Sequence, residues 1–181
     1  MGIETMTTGT QDSWGDAVRR AIVPSIAAGA LSTATLAARG RLETGSAVAP
    51  TNSTAQWLWG EKAALQETAS IKYTVSGYLI HQAAALLWAT VYERVVVDGN
   101  GRRGPGRAVA AGVGVAALAM FTDYVLTPRR LMPGYEKRVS VGSLVAAYGA
   151  FAVGLALTDV LTARAPGARP ADRIDPARLD G

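Results

Sequence analysis

The sequence predicts an all-α polytopic membrane protein: an antiparallel four-helix transmembrane bundle with a short interfacial helix between spans one and two. Apolar residues make up 49% of the 181 residues, and charged residues only 18%, below the roughly 25% typical of a soluble domain. The charges are also unevenly spread, because residues 109–121 and 141–157 contain none. Uncharged apolar stretches that alternate with charged segments are typical of membrane spans and their loops.

The first span is predicted at residues 21–38, which is long enough to cross about 30 Å of hydrocarbon. Before it we expect a flexible N-terminal segment, residues 1–16, in which Ser13 and Asp16 have the spacing of a helix-capping pair. The arginine pair at 19–20 and the small residues that follow would also suit a signal peptide. Because the preceding region is long and acidic for a signal peptide, we expect an uncleaved span.

Between the first two spans, the sequence predicts turns at residues 45–52 and then a short helix at 53–68. Trp57 and Trp59 are two positions apart and would therefore point to nearly opposite faces of that helix. This arrangement suits a segment that lies at the level of the lipid headgroups, where tryptophan is enriched.

The remaining spans are predicted at residues 73–92, 107–126 and 139–161. The glycine- and arginine-rich stretch 98–106 predicts a loop between the second and third of the four spans. Residues 164–181 combine Pro, Arg, Asp and Ala and predict a disordered C-terminal tail.

Stripes of small residues at four-residue spacing run along every predicted span except the second. Such stripes let transmembrane helices approach closely. They are Ser25, Gly29, Thr33 and Ala37 in the first span, Ala108, Gly112 and Ala116 in the third, and Gly142, Ala146, Ala150, Gly154 and Thr158 in the last. We expect them to pack within the bundle or against a partner, either a second copy of the chain or another membrane protein; for the third span, composition alone explains the stripe equally well.

Four spans would bring the segment after the first span and the turn after the third to the same side of the membrane. Their polar and aromatic residues then form a candidate interfacial face: Trp57, Trp59, Glu61, Asp123, Arg129, Arg130, Tyr135, Glu136 and Arg138, with Lys62, Tyr73 and Tyr124 beside them. Asp123 would lie near the interface and pair with one of the three arginines. The opposite side carries 10 Lys and Arg residues against 8 on this one, so the positive-inside rule favours cytoplasmic termini by a small margin.

The second span contains a candidate intramembrane polar site. Tyr78, His81, Ala85, Trp88 and Tyr92 share a helical face that should point into the bundle, with Gln82 beside His81 near the midplane. Ionisable groups inside a membrane are costly and often functional. A neutral imidazole there would relay a proton or bind a ligand, or would simply hydrogen-bond to Ser and Thr on neighbouring helices; we favour the structural role.

Several kinds of chemistry are excluded by composition. The chain has no cysteine and a single histidine, which excludes thiolate metal sites and any site that needs two imidazoles from one chain. No nucleotide-binding loop, nucleophile elbow or metalloprotease motif is present. We therefore expect no metal, no cofactor, no catalytic residues and no nucleic-acid partner. Glu93, Arg94 and Asp159 are interpreted as charges that end their spans.

Three segments carry a resemblance to known proteins: Gly45-Ser46-Ala47 through Ala49-Pro50-Thr51-Asn52, Trp57-Leu58-Trp59-Gly60, and Thr127-Pro128 through Pro133-Gly134-Tyr135-Glu136. They resemble segments of uncharacterised bacterial small inner-membrane proteins. The resemblance covers roughly residues 20–160 and implies a four-span fold, with no mechanism and no site residues.

Three functional hypotheses follow. The first is a non-enzymatic structural, accessory or lipid-interacting component of a bacterial inner membrane, whose partner is the lipid bilayer. The alternative is a small translocator with a polar route past His81 and Gln82. A membrane enzyme that acts on lipid through Asp123, Glu61 or Glu136 ranks third.

Overall fold

The computed structural model describes residues 13–97 and 103–164, and all secondary structure in this part of the chain is helical. Four long helices dominate: α1 (Trp14–Thr44), α4 (Ser76–Val95), α5 (Pro105–Phe121) and α6 (Val141–Arg164), with the short helices α2 (Ala49–Thr54) and α3 (Gln56–Trp59) between α1 and α4. The predicted all-α fold is confirmed. The predictions for residues 1–12, the glycine-rich stretch 98–102 and the tail 165–181 lie outside the described residues.

Three of the long helices are apolar and long enough to cross a membrane. They comprise α1, the continuous helical segment Pro105–Leu126 and residues Val141–Ala163. The three candidate spans pack together, and α4 completes the bundle without reaching the same hydropathy.

Helix α1 is longer than the predicted span. It begins after Ser13, whose side chain accepts a hydrogen bond from the Asp16 backbone N–H at 3.2 Å, as the capping pair predicts. It ends at Gly45, which has the left-handed φ of 77° that favours glycine. At 1.5 Å per residue its 31 residues extend about 46 Å. Pro24, which the predicted span 21–38 places near the beginning of a helix, therefore lies inside α1.

The long helices form a ring in the order α4, α1, α6, α5. Helix α1 contacts both α4 and α6 extensively, α5 packs on α6, and α4 and α5 touch much less. The closest approach joins α1 and α6, where a Cβ on Gly154 would lie 2.3 Å from the Ala28 Cα. Gly112 of α5 likewise faces the Ala152 carbonyl of α6. Small residues thus set the helix spacing, as they do in membrane bundles.

The predicted stripes differ in how they are used. The α5 stripe is buried throughout, and in α1 the buried members are Ser25 and Gly29. The α6 stripe packs through Gly154, whereas Gly142 and Ala146 are exposed. Helix α6 therefore buries only part of its predicted face.

The single interfacial helix predicted at 53–68 is wrong. The segment instead comprises α2, α3 and a 3₁₀ turn at Glu61–Leu65, and the chain turns at Gly60, where φ is 70°. All of α2 is buried, because Gly40 and Gly77 leave room for it between the ends of α1 and α4. We call residues 46–70 together with residues 127–140 the cap, since they close one end of the bundle.

Candidate functional site

A cavity of about 210 Å³ lies between the four long helices and the cap. We call it the chamber. Most of its lining is apolar or aromatic, and a few of its groups are polar. The lining residues are Ser32, Leu36, Thr54, Trp57, Ile80, His81, Ala84, Ala85, Leu87, Trp88, Ala119, Thr122, Asp123, Pro133, Tyr135, Ala147, Tyr148 and Phe151. Ligand sites in proteins usually combine an apolar wall with a small number of placed polar groups.

His81 connects the wall of the chamber to the cap. Its Nε2 lies 2.9 Å from the Ser32 Oγ, and its Nδ1 lies 2.8 Å from the Tyr135 hydroxyl. The Ser32 hydroxyl already donates to the Ala28 carbonyl at 2.7 Å. We therefore assign the neutral tautomer in which Nε2–H donates to Ser32 and Nδ1 accepts from Tyr135. His81 lies in the second turn of α4, nearer the cap than the middle of the helix.

Tyr135 comes from the cap and is almost fully buried. Burial raises the pKa of its hydroxyl above the ordinary value, so the phenol stays protonated and able to donate. Its ring stands edge-on to the His81 ring, with the centroids 6.0 Å apart. The cap and α4 are thus connected through the chamber wall.

Asp123 lies in a π-helical turn, Thr122–Leu126, that continues α5. π-turns inside α-helices are frequent at functional sites. The carboxylate accepts a hydrogen bond from the Tyr148 hydroxyl of α6, and both residues line the chamber. The predicted pairing of Asp123 with Arg129, Arg130 or Arg138 is wrong: among the described residues no basic group lies within ion-pair distance of this carboxylate, and Arg138 pairs with Glu67 at 2.7 Å.

Thr54 supplies a further polar group to the chamber. The residue is only 3% exposed, and its hydroxyl oxygen makes no hydrogen bond of ordinary geometry in the described part of the chain, although it interacts with the Tyr135 hydroxyl. Buried hydroxyls without a partner are uncommon in native proteins, and each calls for an explanation such as a bound group.

The chamber is lined in part by α4 and α5, the neighbouring long helices of the ring that contact each other least. Leu87 of α4 lines it and is 62% exposed. Trp88, which was predicted to face the interior of the bundle, also lines the chamber. Tyr78 is absent from the lining and is 37% exposed, so its predicted inward orientation is wrong.

Gln82 packs against α1 and not in the chamber. Its amide nitrogen donates to the Ser25 carbonyl at 3.0 Å, and Gly29 gives the side chain room, because a Cβ there would lie 2.2 Å from the Gln82 Oε1. The carbonyl oxygen of this side chain has no described partner. The polar side chains of His81 and Gln82 therefore face α1, and their role includes packing of α4 against α1.

The far end of the bundle contains an ion cluster that the sequence analysis missed. Glu93 is 1% exposed, and its carboxylate pairs with Arg20 of α1 at 3.1 Å and with Arg103. Arg103 also contacts Asp159 of α6 at 3.1 Å. These hydrogen bonds from Arg103, first of all to Glu93, raise the pKa of the guanidinium above its ordinary value. The interpretation of Glu93 and Asp159 as simple span ends is therefore wrong.

Tyr92 connects the cluster to the bundle core. It is fully buried, and its hydroxyl donates a hydrogen bond to the Asp159 carboxylate at 2.7 Å. A sequence signal did exist: Tyr92 and Glu93 lie near the C-terminal end of an apolar helix, and two acidic residues had arginines available at the ends of neighbouring helices. Nothing in the sequence specified which of them would meet.

Several residues of the candidate interfacial face take part in contacts between the two cap segments. The two cap segments do meet, because Gln56 donates to the Met132 carbonyl at 2.6 Å and Trp57 donates to the same oxygen at 3.3 Å. Glu61 lies 3.6 Å from Lys137, and Trp59 donates to Ser76 at 3.1 Å. The outer members are exposed: Arg129, Arg130 and Glu136.

Comparison with known proteins yields no match to a family model, a curated protein or a solved structure.

Proposed function

We propose that this chain is a non-enzymatic, lipid-interacting component of the bacterial inner membrane that crosses the bilayer four times and holds a membrane-soluble molecule in its chamber. The observation that carries the proposal is the position of the chamber: it lies between four helices and the cap, its neighbours α4 and α5 contact each other least, and the exposed Leu87 belongs to its lining. From these features we infer a lateral opening between α4 and α5. A ligand would enter from the hydrocarbon layer and not from water.

The fourth crossing is made by α4. Its 20 residues extend about 30 Å, the thickness of the hydrocarbon layer. Its mean hydropathy is lowered by His81 and Gln82, but both are hydrogen-bonded toward α1. The outward side chains Leu79 and Leu87 are apolar and about 60% exposed. Polar groups that face the interior of a bundle are compatible with a membrane span.

The other three long helices also present apolar side chains outward. Ile26 in α1, Val113 in α5 and Val153 in α6 are each more than half exposed. Contiguous exposed apolar surface on a soluble protein would be a liability. A belt of such residues around the bundle, with charged groups at both ends, is what a lipid environment requires.

The alternative function, a translocator with a polar route past His81 and Gln82, receives less support. Between His81 and Glu93 the bundle is filled by Ala85, Ala89 and Tyr92, which are at most 2% exposed. The chamber is consequently a closed-ended space that favours holding a ligand over passing one.

Termini in the cytoplasm remain our proposal, on the charge balance described above. A partner would find the exposed Gly142 and Ala146 of α6 available for close helix packing. The resemblance to small four-span inner-membrane proteins supports the four crossings of the inner membrane.

Quenching by brominated lipids tests the lateral opening. In a variant that retains only Trp88, with the other three tryptophans replaced by phenylalanine, we expect strong quenching by lipids brominated deep in the acyl chain. A matched variant that retains only Trp14, which is 64% exposed at the start of α1, should be quenched most by bromines near the headgroup. Trp88 fluorescence that is insensitive to all brominated lipids would refute the proposed opening.

A further inference from the structure

We infer that the chamber binds a lipophilic cation: a molecule with an apolar body and one positively charged centre. The inference rests on the proposed membrane function and specifies the ligand of the same chamber. Three features of the lining support it, namely the carboxylate of Asp123, the aromatic rings around it and the hydroxyl of Thr54.

Among the described residues that line the chamber, Asp123 is the only acidic one, and the only basic one is His81, whose two nitrogens contact Ser32 and Tyr135 in the neutral tautomer assigned above. Two basic side chains of the cap pair elsewhere: Arg138 with Glu67, and Lys137 with Glu61 and Gln56. The single described hydrogen bond to the carboxylate comes from the neutral Tyr148 hydroxyl. A carboxylate in apolar surroundings needs a positive partner, and a ligand can provide it.

Aromatic rings form much of the remaining wall. Trp57, Trp88, Tyr135, Tyr148 and Phe151 all line the chamber. The face of an aromatic ring attracts a cation, and the attraction is stronger where water is excluded. A carboxylate surrounded by aromatic rings discriminates against anions and favours a cation with an apolar body.

Thr54 provides an independent indication that the chamber takes a ligand. Its hydroxyl is buried in the lining, makes no hydrogen bond of ordinary geometry among the described residues, and interacts with the Tyr135 hydroxyl. A hydroxyl can accept as well as donate a hydrogen bond. It can therefore serve a primary or secondary ammonium group, whereas a quaternary centre would use only the carboxylate and the rings.

The mouth of the chamber agrees with a ligand that partitions into lipid. Ile80, Ala84 and Leu87 border it on the α4 side and carry no charge. An amphiphilic cation could slide between α4 and α5 with its apolar body still in hydrocarbon. The positive centre would then meet Asp123 at the level of the π-turn.

Phenyltrimethylammonium, a small aromatic cation, suits a cavity of about 210 Å³, and tert-butylbenzene is its uncharged isostere. Binding to the purified full-length chain in nanodiscs can be followed by tryptophan fluorescence, since Trp57 and Trp88 line the chamber. We expect saturable binding of the cation and a loss of affinity of at least tenfold in Asp123→Asn. Glu136→Gln, an exposed carboxylate at the same end of the bundle, should change affinity less than twofold.

A second pair of variants keeps the test decisive if Asp123→Asn does not fold. Ala84→Phe places a ring in the chamber lining, whereas Ala83→Phe adds the same ring to an exposed neighbouring position. We expect Ala84→Phe to abolish binding of the cation and Ala83→Phe to retain it.

The inference is overturned if the chain binds the neutral hydrocarbon as well as the cation, if Asp123→Asn binds the cation like the unmodified chain, or if no saturable binding occurs. In each case, quenching of Trp88 by brominated lipids would still report whether the chamber opens to the bilayer. Failure of the ligand class and failure of the proposed function are therefore distinguishable.

Discussion

Replacement of Gly154 by alanine tests the closest helix contact of the bundle. A Cβ at this position would lie 2.3 Å from the Ala28 Cα and 2.5 Å from the Ala28 nitrogen. Both are backbone atoms of α1, so no side-chain rotation can relieve the overlap. Ordinary contact begins at 3.4 Å, and the two helices would have to separate by about 1 Å.

Gly149 is a matched control on the same helix. A Cβ there meets no atom within 4 Å. Both substitutions gain the same helix propensity of up to about 1 kcal/mol, so this contribution cancels when the variants are compared. The difference that remains is the cost of overpacking, about 1–3 kcal/mol.

The assay is unfolding of both variants in mixed micelles with an increasing fraction of sodium dodecyl sulfate, followed by circular dichroism. We expect Gly154→Ala to be less stable than Gly149→Ala by about 1–3 kcal/mol, the overpacking cost alone. Equal stability of the two variants would refute the described crossing of α1 and α6.

Three further outcomes follow from the site. Glu93→Gln should lower the free energy of unfolding by about 2–3 kcal/mol, less than for a fully buried pair because Arg20 and Arg103 are partly exposed; the surface carboxylate variant Glu61→Gln should leave it unchanged in the same titration. His81→Phe should destabilise by about 1–3 kcal/mol, since the Tyr135 hydroxyl loses its acceptor, and Tyr78→Phe serves as the neutral control. Gly134→Ala should lower the thermal midpoint relative to Gly142→Ala, because Gly134 has a φ of 86° and its Cβ would lie 2.8 Å from the Ser53 carbonyl. Any of these variants that matches its control would contradict the corresponding contact.

Hydropathy and charge distribution were sufficient to predict the helices of the bundle. A long uncharged segment has few structures available in lipid, because each backbone N–H and C=O must be satisfied within the segment itself. This is why residues 109–121 and 141–157 were placed correctly. The predicted bounds differ mainly at the ends, where capping residues such as Ser13 and Gly45 decide.

The cap was predicted poorly because its structure depends on distant partners. The turn residues at 45–52 suggested a single helix after them at 53–68, but the Asn52 side chain donates to the carbonyls of Gln66 and Thr68, both at 3.0 Å. Gly134 closes over Ser53 from a segment about 80 positions later in the chain. Local sequence does not encode such contacts.

The residues of the chamber were likewise predictable only where the local sequence determines their orientation. The inward orientation of His81 and Trp88 follows from helical periodicity, and both were predicted to face the interior. The Tyr135 partner of His81 comes from the cap, and Asp123 is brought to the chamber by a π-turn that periodicity does not predict. Tyr78 was misplaced because one helical face was assumed to be polar along its whole length.

Cysteine accessibility tests the four-span placement most directly, since the chain contains no native cysteine. Single substitutions Gly15→Cys, Ala69→Cys, Gly104→Cys and Arg130→Cys can be labelled with a membrane-impermeant maleimide on intact and inverted membranes. Four spans predict that positions 15 and 104 label from one side and positions 69 and 130 from the other. If position 104 labels together with 69, and position 130 together with 15, then α4 does not cross the bilayer and the account is contradicted.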